Sequence, residues 1–164
     1  MFRVGIGYDM HRLAEGYPLV LGGVTVPHPM GLEGHSDADV LIHAIMDALL
    51  GAMSHPDIGQ LFPDNDPRYE NISSLELLEE VVRIMSENNY RLVNMDSVII
   101  AQQPKLTVYL PAMKENLARV LDVELGEINI KATTNEGLDA VGNEKGIAAQ
   151  AVAMLRNLSD SLYD

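Results

Sequence analysis

Residues 38–53, ADVLIHAIMDALLGAM, constrain the fold more than any other stretch of this chain. The run is apolar almost all round, so as a helix it has no face for water and must be wrapped by other elements. Its polar interruptions, Asp39, His43 and Asp47, fall at i, i+4 and i+8. Each step of four advances only about 40° round a helix, so the three form one polar stripe on a buried rod. Burying two carboxylates and an imidazole is costly unless they are paired with one another or hold a metal.

Elements able to enclose that helix are legible on both sides of it. Residues 2–10 read as a strand, and 18–27 as an extended pair broken at Gly22-Gly23. The Pro-, Gly-, Asp- and Asn-rich stretch 56–67 reads as a loop. Ser73-Ser74 begin a capping pattern, with Glu76 three residues after Ser73, for an amphipathic helix to about Asn89. A strand is predicted over 91–103, stopped by Pro104, and then a helix from about Pro111 to Asp122. A strand over 127–134 and a closing helix over 144–158 complete the order β-β-α-α-β-α-β-α. This predicts an α/β or α+β fold, a sheet covered by helices, in one domain over residues 1–164.

The strongest local chemistry is Asp9-Met10-His11 at the end of the first strand. Side chains two apart on a strand share a face, roughly 6.5–7 Å apart at the backbone, so both can turn to one ion. Alone, the pair reads more readily as a polar strand end than as a metal site. With His43 it completes two histidines and one carboxylate, the donor set of a catalytic zinc that keeps an open position. The alternative is an Asp–His network satisfied without metal. Asp47 or Asp39 is a candidate for fixing the His43 tautomer. His35-Ser36 lie in GLEGHSDAD, a Gly-rich approach to the helix where backbone N–H groups suit a phosphate, though Ser36 or Asp37 also reads as a plain N-cap. The run Lys131–Glu136, KATTNE, gathers oxygen donors that suit Mg²⁺ or Mn²⁺ beside substrate phosphates. Gly5-Ile6-Gly7 begins like a dinucleotide fingerprint, but Met10 stands where its third glycine belongs.

Charge narrows the partners. With 24 acidic against 11 basic residues the formal net charge is −13, which repels nucleic acid, anionic membranes and phosphorylated metabolites alike. An anionic substrate therefore needs bound cations. There is no cysteine, so no disulfide framework and no thiolate zinc site. No apolar run approaches the ~20 residues of a membrane span, and MFRVGIGYDM does not read as a leader. A cytoplasmic or organelle-stroma location is expected.

Taken together, RVGIGYDMHRL, GHSDADVLIHAIMDALLGA, DIGQLFPDNDP, IIAQQPKL and NIKATTNEGL, in that order, resemble the 2-C-methyl-D-erythritol 2,4-cyclodiphosphate synthase family of the non-mevalonate isoprenoid pathway. The resemblance runs from about Arg3 to Leu155. It implies a lyase that forms a cyclic diphosphate from 4-diphosphocytidyl-2-C-methyl-D-erythritol 2-phosphate and releases CMP. It also implies a homotrimer with active sites between subunits, each with one zinc and a Mg²⁺ or Mn²⁺. Asp9, His11 and His43 match the zinc ligands, and Glu136 the ligand of the second metal. His35 and Thr134 match the transition-state-stabilising positions. Ser36, Asp57, Ile58, Gly59, Phe62, Pro63, Asp64, Asn65 and Asp66 match the segments that hold the methylerythritol phosphate. From a neighbouring subunit, Ala101, Gln102, Gln103, Pro104, Lys105, Leu106, Thr107, Ala132, Thr133 and Asn135 match the cytidine diphosphate pocket.

One segment departs from the family pattern Gly-Phe-x-Gly-Arg: here Asp139-Ala140-Val141-Gly142-Asn143 puts Ala for Phe and Asn for Arg. In relatives these positions line a central trimer cavity that can hold a phosphorylated isoprenoid. Without the bidentate Arg and the aromatic ring, weak or absent isoprenoid diphosphate binding is expected here. The competing functional readings are a zinc phosphohydrolase using the same ligands and a non-catalytic nucleotide-binding trimer.

Overall fold

Strand β1 (Phe2–Glu15) runs longer than the sequence pattern suggests and carries the whole Asp9–His11 segment. Its odd residues Gly5 and Gly7 are buried while Phe2, Val4, Ile6 and Tyr8 are exposed, the two-residue period of a strand with one covered face. The covering element is the apolar helix α1 (Val40–Ala52), whose start is capped by Asp39 accepting from the Ile42 N–H. A Cβ at Gly7 would lie 1.8 Å from the Ala44 carbonyl oxygen, and one at Gly5 would lie 1.9 Å from that of Ala48. The Gly-x-Gly pair thus lets the backbone of α1 rest directly on the backbone of β1. That close approach, not a dinucleotide, accounts for the glycines.

The computed structural model describes residues 1–159; the last residues of the expected domain, 160–164, lie outside the described residues. After β1 the chain forms a hairpin of β2 (Leu19–Leu21) and β3 (Val24–Val26), then the short β4 (Met30–Leu32) and α1. The predicted loop over 56–67 contains one helical turn, α2 (Ile58–Leu61), capped by Asp57. Helix α3 (Ser74–Glu87), strand β5 (Tyr90–Ile100), helix α4 (Leu110–Leu121) and strand β6 (Ile128–Thr133) follow close to their expected places. A short α5 (Asp139–Gly142) precedes β7 (Gly146–Asn157).

The sheet has the order β4-β1-β7-β5-β6. It is mixed: β7 runs antiparallel to both β1 and β5, while β5 and β6 are parallel, joined through α4. The result is a single-domain α/β fold whose helices pack on one side of the sheet. Leu41, Ile42, Ile45 and Leu49 of α1 are wholly buried, each side chain contributing about 1.5–3 kcal/mol of burial.

The expected closing helix over 144–158 is instead the central strand β7. Its alanines invite a helix by propensity, but the residues alternate: Ala149, Ala151, Ala153 and Leu155 are buried while Gln150, Val152 and Arg156 are exposed. The small side chains lie on the face that α1 covers, where larger ones would push the helix away. Tertiary packing therefore outweighs propensity.

The opposite face of the sheet is apolar and open along β1 and at Val152 of β7, while Asp96, Asn129 and Lys131 make it polar at β5 and β6. Phe2, Val4, Ile6, Tyr8, Met10 and Val152 are between 43% and 63% exposed. Contiguous patches of this kind on an otherwise acidic protein mark an interaction surface.

Candidate active site

The contact between β1 and α1 sets the geometry of the site. Because α1 lies against Gly7, His43 in its first turns comes level with Asp9 and His11 at the far end of the strand. Asp9 Oδ2 is 2.8 Å from His11 Nε2 and 3.0 Å from His43 Nδ1, and the two ring nitrogens are 3.1 Å apart. The other nitrogen of His11, Nδ1–H, donates to the Glu33 carbonyl at 3.1 Å. His11 Nε2 is therefore a lone pair when the ring is neutral, and it faces a carboxylate oxygen. Two acceptors at 2.8 Å repel unless a cation lies between them.

The titration of the pair carries the same signature. Burial alone would raise the Asp9 pKa, but hydrogen bonds and charge from His11 and His43 outweigh it and hold the carboxyl well below its ordinary value. Burial would lower the His11 pKa, but the hydrogen bond and charge of Asp9 win and raise it. The arrangement thus favours positive charge beside Asp9. One atom from each of Asp9, His11 and His43 lies within 4.8 Å of the others, and no other such group of ligating side chains occurs among the described residues. Two imidazoles and a carboxylate fit a divalent ion of the zinc type better than a hard, all-oxygen cation.

These three side chains line a cavity of about 430 Å³. His35, Ser36, Asp47, Ile58, Gly59, Phe62 and Asp64 share its wall, together with Gly34, Tyr69 and Leu77. Asp57, Pro63, Asn65 and Asp66 do not line it. Asp57 caps α2 by accepting from the Gln60 N–H, and Asp66 caps the turn at Pro67–Tyr69 while pairing with Arg68.

The second group of expected residues lies elsewhere on the chain. Ala101, Gln102, Pro104, Lys105, Leu106, Thr107, Ala132, Thr133 and Thr134 line a separate cavity of about 120 Å³ where β5 and β6 end. Gln103, Asn135 and Glu136 are not among its lining residues. Glu136 is exposed and accepts from the Thr134 hydroxyl at 3.2 Å, while Asn135 donates to Asp139 at 2.7 Å. The chain therefore brings His35 to the candidate metal ligands but places Thr134 at a different cavity, with Glu136 lining neither.

The expected partners of His43 need correction. Asp39 does not reach the ring: it accepts from the N–H groups of Gly22, Gly23 and Ile42, and burial raises its pKa to about 6. Asp47 accepts from the Ile58 N–H at 2.9 Å and so anchors α2 to α1. Burial also raises the Asp47 pKa. The polar atoms beside His43 Nε2 are instead the hydroxyls of Ser36 at 3.2 Å and Ser74 at 3.0 Å. Ser74 looked like a helix start in sequence. Its distance from His43 along the chain, 31 positions, left no periodic signal to link the two.

A sequence profile of the YgbB family matches residues 2–156. The chain belongs to the YgbB family. It is 54% identical over 155 residues to a 2-C-methyl-D-erythritol 2,4-cyclodiphosphate synthase of Caldicellulosiruptor bescii, covering 94% of this chain and 99% of that one. Among solved structures, a 2C-methyl-D-erythritol-2,4-cyclodiphosphate synthase in a CDP-bound form superposes with a TM-score of 0.87 at 38% identity, covering 94% of this chain and all, 100%, of that one. The bifunctional IspDF of Campylobacter jejuni superposes with a TM-score of 0.92 at 40% identity; 96% of this chain matches 43% of that longer protein.

Proposed function

We propose that the chain converts 4-diphosphocytidyl-2-C-methyl-D-erythritol 2-phosphate to 2-C-methyl-D-erythritol 2,4-cyclodiphosphate with release of CMP, as a phosphorus–oxygen lyase of isoprenoid precursor synthesis. The observation that carries this reading is the convergence of Asp9, His11 and His43 on one cavity of about 430 Å³ in a YgbB chain. In this reading residues 1–164 are one catalytic domain acting in the cytoplasm. No helix among the described residues is long and apolar enough to cross a membrane, and the charge of −13 disfavours nucleic acid.

Asp9, His11 and His43 hold one zinc per subunit, and Glu136 holds a Mg²⁺ or Mn²⁺. When bound, these ions supply Lewis-acid polarisation of phosphoryl oxygens and offset the charge gathered on them. The protein's own part is positioning. A phosphate monoester has its second pKa near ~6, so the 2-phosphate is already ionised at neutral pH and needs no general base. One of its oxygens bonds to the β-phosphorus as the bond from that phosphorus to the CMP oxygen breaks, and CMP leaves with the electron pair. Ser36, Ile58, Gly59, Phe62 and Asp64 hold the methylerythritol phosphate and exclude water, on segments that Asp57, Pro63, Asn65 and Asp66 belong to and that Asp57 and Asp66 shape by capping. His35 and Thr134 donate to phosphoryl oxygens as charge develops.

For Thr134 and Glu136 to act with His35, the two cavities must come from different protomers. A homotrimer meets that need, with residues 101–107, Ala132, Thr133 and Asn135 of one subunit holding the cytidine diphosphate against the metal ligands of the next. The exposed apolar face of β1 and β7 supports self-association, since a second copy is a partner that covers such a face. The altered segment at Ala140 and Asn143 makes the trimer axis a poor isoprenoid diphosphate site. Micromolar affinity for geranyl diphosphate would count against that part. Chromatographic assay of CMP released per substrate consumed, with sedimentation equilibrium on the same sample, tests the whole reading. A trimer releasing one CMP per substrate supports it; a monomer with full activity refutes the shared site.

A further inference from the structure

The hydroxyl of Ser74 is fully buried, 0% exposed, and lies 3.0 Å from His43 Nε2. Its single hydrogen is already committed, because Ser74 Oγ donates to Asp37 Oδ1 in a short contact. The same carboxylate accepts the Ser74 N–H at 2.9 Å and the Asp39 N–H at 3.2 Å, so it is held from several directions. Asp37 has only acceptors to offer when ionised. Ser74 therefore turns a lone pair, not a hydrogen, towards the imidazole. The Ser36 hydroxyl, 3.2 Å from the same nitrogen, takes the Ala38 N–H and likewise has an oxygen to present.

We propose that Ser74, oriented by Asp37, is a positioning residue that fixes His43 in its Nε2–H form, so that Nδ1 presents its lone pair to the ion held with Asp9 and His11. The opposite tautomer would place a hydrogen at Nδ1, between His43 and Asp9, where the cation must sit. The pair also ties the loop before α1 to the first residue of α3, so ligand orientation and cavity wall are set by one contact. The inference rests on the metal reading proposed above. It differs from the sequence expectation in assigning the supporting role to a neutral hydroxyl rather than to Asp39 or Asp47.

The test is zinc affinity of the full-length protein, measured by chelator competition, for the wild type, Ser74→Ala, Ser74→Thr and Asp37→Asn. Loss of an outer hydrogen bond to a metal-bound histidine weakens binding about 10- to 100-fold, and that is expected for Ser74→Ala. Ser74→Thr, which keeps the hydroxyl but adds a methyl, is expected to restore affinity to within a few-fold. A role in packing alone would order these variants the other way, since alanine is the gentler change in volume. In the zinc-loaded wild type, a slowly exchanging His43 Nε2 proton is expected by NMR, exchanging faster in Ser74→Ala. If Ser74→Ala does not fold, Asp37→Asn decides: it is expected to bind zinc more weakly than wild type. Wild-type affinity in Ser74→Ala or, failing its folding, in Asp37→Asn overturns the proposal. A folded wild type that takes up no zinc overturns the metal reading itself, a distinguishable failure.

Discussion

Gly7→Ala is the sharpest perturbation of this fold because it acts on the site without touching a ligand. The new Cβ would sit 1.8 Å from the Ala44 carbonyl oxygen and 2.8 Å from the carbon that bears it. Real Cβ contacts essentially never fall below 3.0 Å, so α1 must retreat by at least about 1.2 Å, or β1 must bend by as much. Neither moves freely: β1 is paired to β7 through eleven successive positions from Phe2 to Arg12, and α1 is buried on nearly every side. Overpacking of this kind costs typically 1–3 kcal/mol, and contact with backbone on both sides puts the expected loss at about 3 kcal/mol. Ala44 is the residue after His43, so the displacement also opens the Asp9–His43 separation of 3.0 Å. Urea unfolding of the metal-free protein should show the stability loss, and chelator competition a zinc affinity reduced by an order of magnitude or more. Wild-type stability, within about 0.5 kcal/mol, together with unchanged zinc affinity would refute the claim that glycine sets the helix–strand contact.

Four other outcomes are expected. His43→Ala should purify without stoichiometric zinc by elemental analysis; full zinc content would sink its assignment as a ligand. Glu136→Gln should raise the Mg²⁺ concentration needed for turnover while leaving zinc content alone, and an unchanged Mg²⁺ dependence would count against its role. Zinc affinity should fall as pH drops. Because the folded-state His11 pKa is raised above 6.5, proton competition begins above that value rather than below it. In the metal-free protein the sign differs: the His11 contribution to stability is present below pH 6.5 and lost as pH rises through the raised pKa. Zinc affinity constant from pH 8 to pH 5 would contradict this reading. Finally, Asp39→Asn should destabilise by about 1–3 kcal/mol in thermal or urea unfolding, although it removes a buried charge, because an amide N–H₂ would face N–H donors at Gly22, Gly23 or Ile42. A variant as stable as wild type would show that the carboxylate's charge outweighs its caps.

The parts of the fold that were legible in sequence were those with a local cause. The largely apolar run from Val40 to Ala52, too long for a single buried strand, marked a buried helix, and Ser73 before an amphipathic stretch marked the start of α3 within a residue. Asp9, His11 and His43 were legible as a group able to meet because strand period and helix stripe each put polar groups where an apolar surface was due, and the structure brings one atom of each within 4.8 Å of the others. What failed depended on contacts distant in sequence. The alanines of β7 were read as helix because their reason, the proximity of α1, is not written in that segment. Asp39 looked like a partner for His43 by helical spacing, yet it lies at the cap and is drawn to Gly22 and Gly23 of the β2–β3 turn. Ser74 and Asp37 had no signal at all, since a hydroxyl at a helix start has a sufficient local explanation. The separation of Thr134 and Glu136 from Asp9, His11 and His43 is likewise a property of the folded chain and not of the motifs.

The most direct test of the proposed activity is phosphorus NMR of the purified protein incubated with the diphosphocytidyl substrate, Zn²⁺ and Mg²⁺. Stoichiometric CMP together with the paired phosphorus signals of a cyclic diphosphate is the predicted result. Free inorganic phosphate without a cyclic product would contradict it and indicate water, rather than the substrate's own 2-phosphate, as the nucleophile.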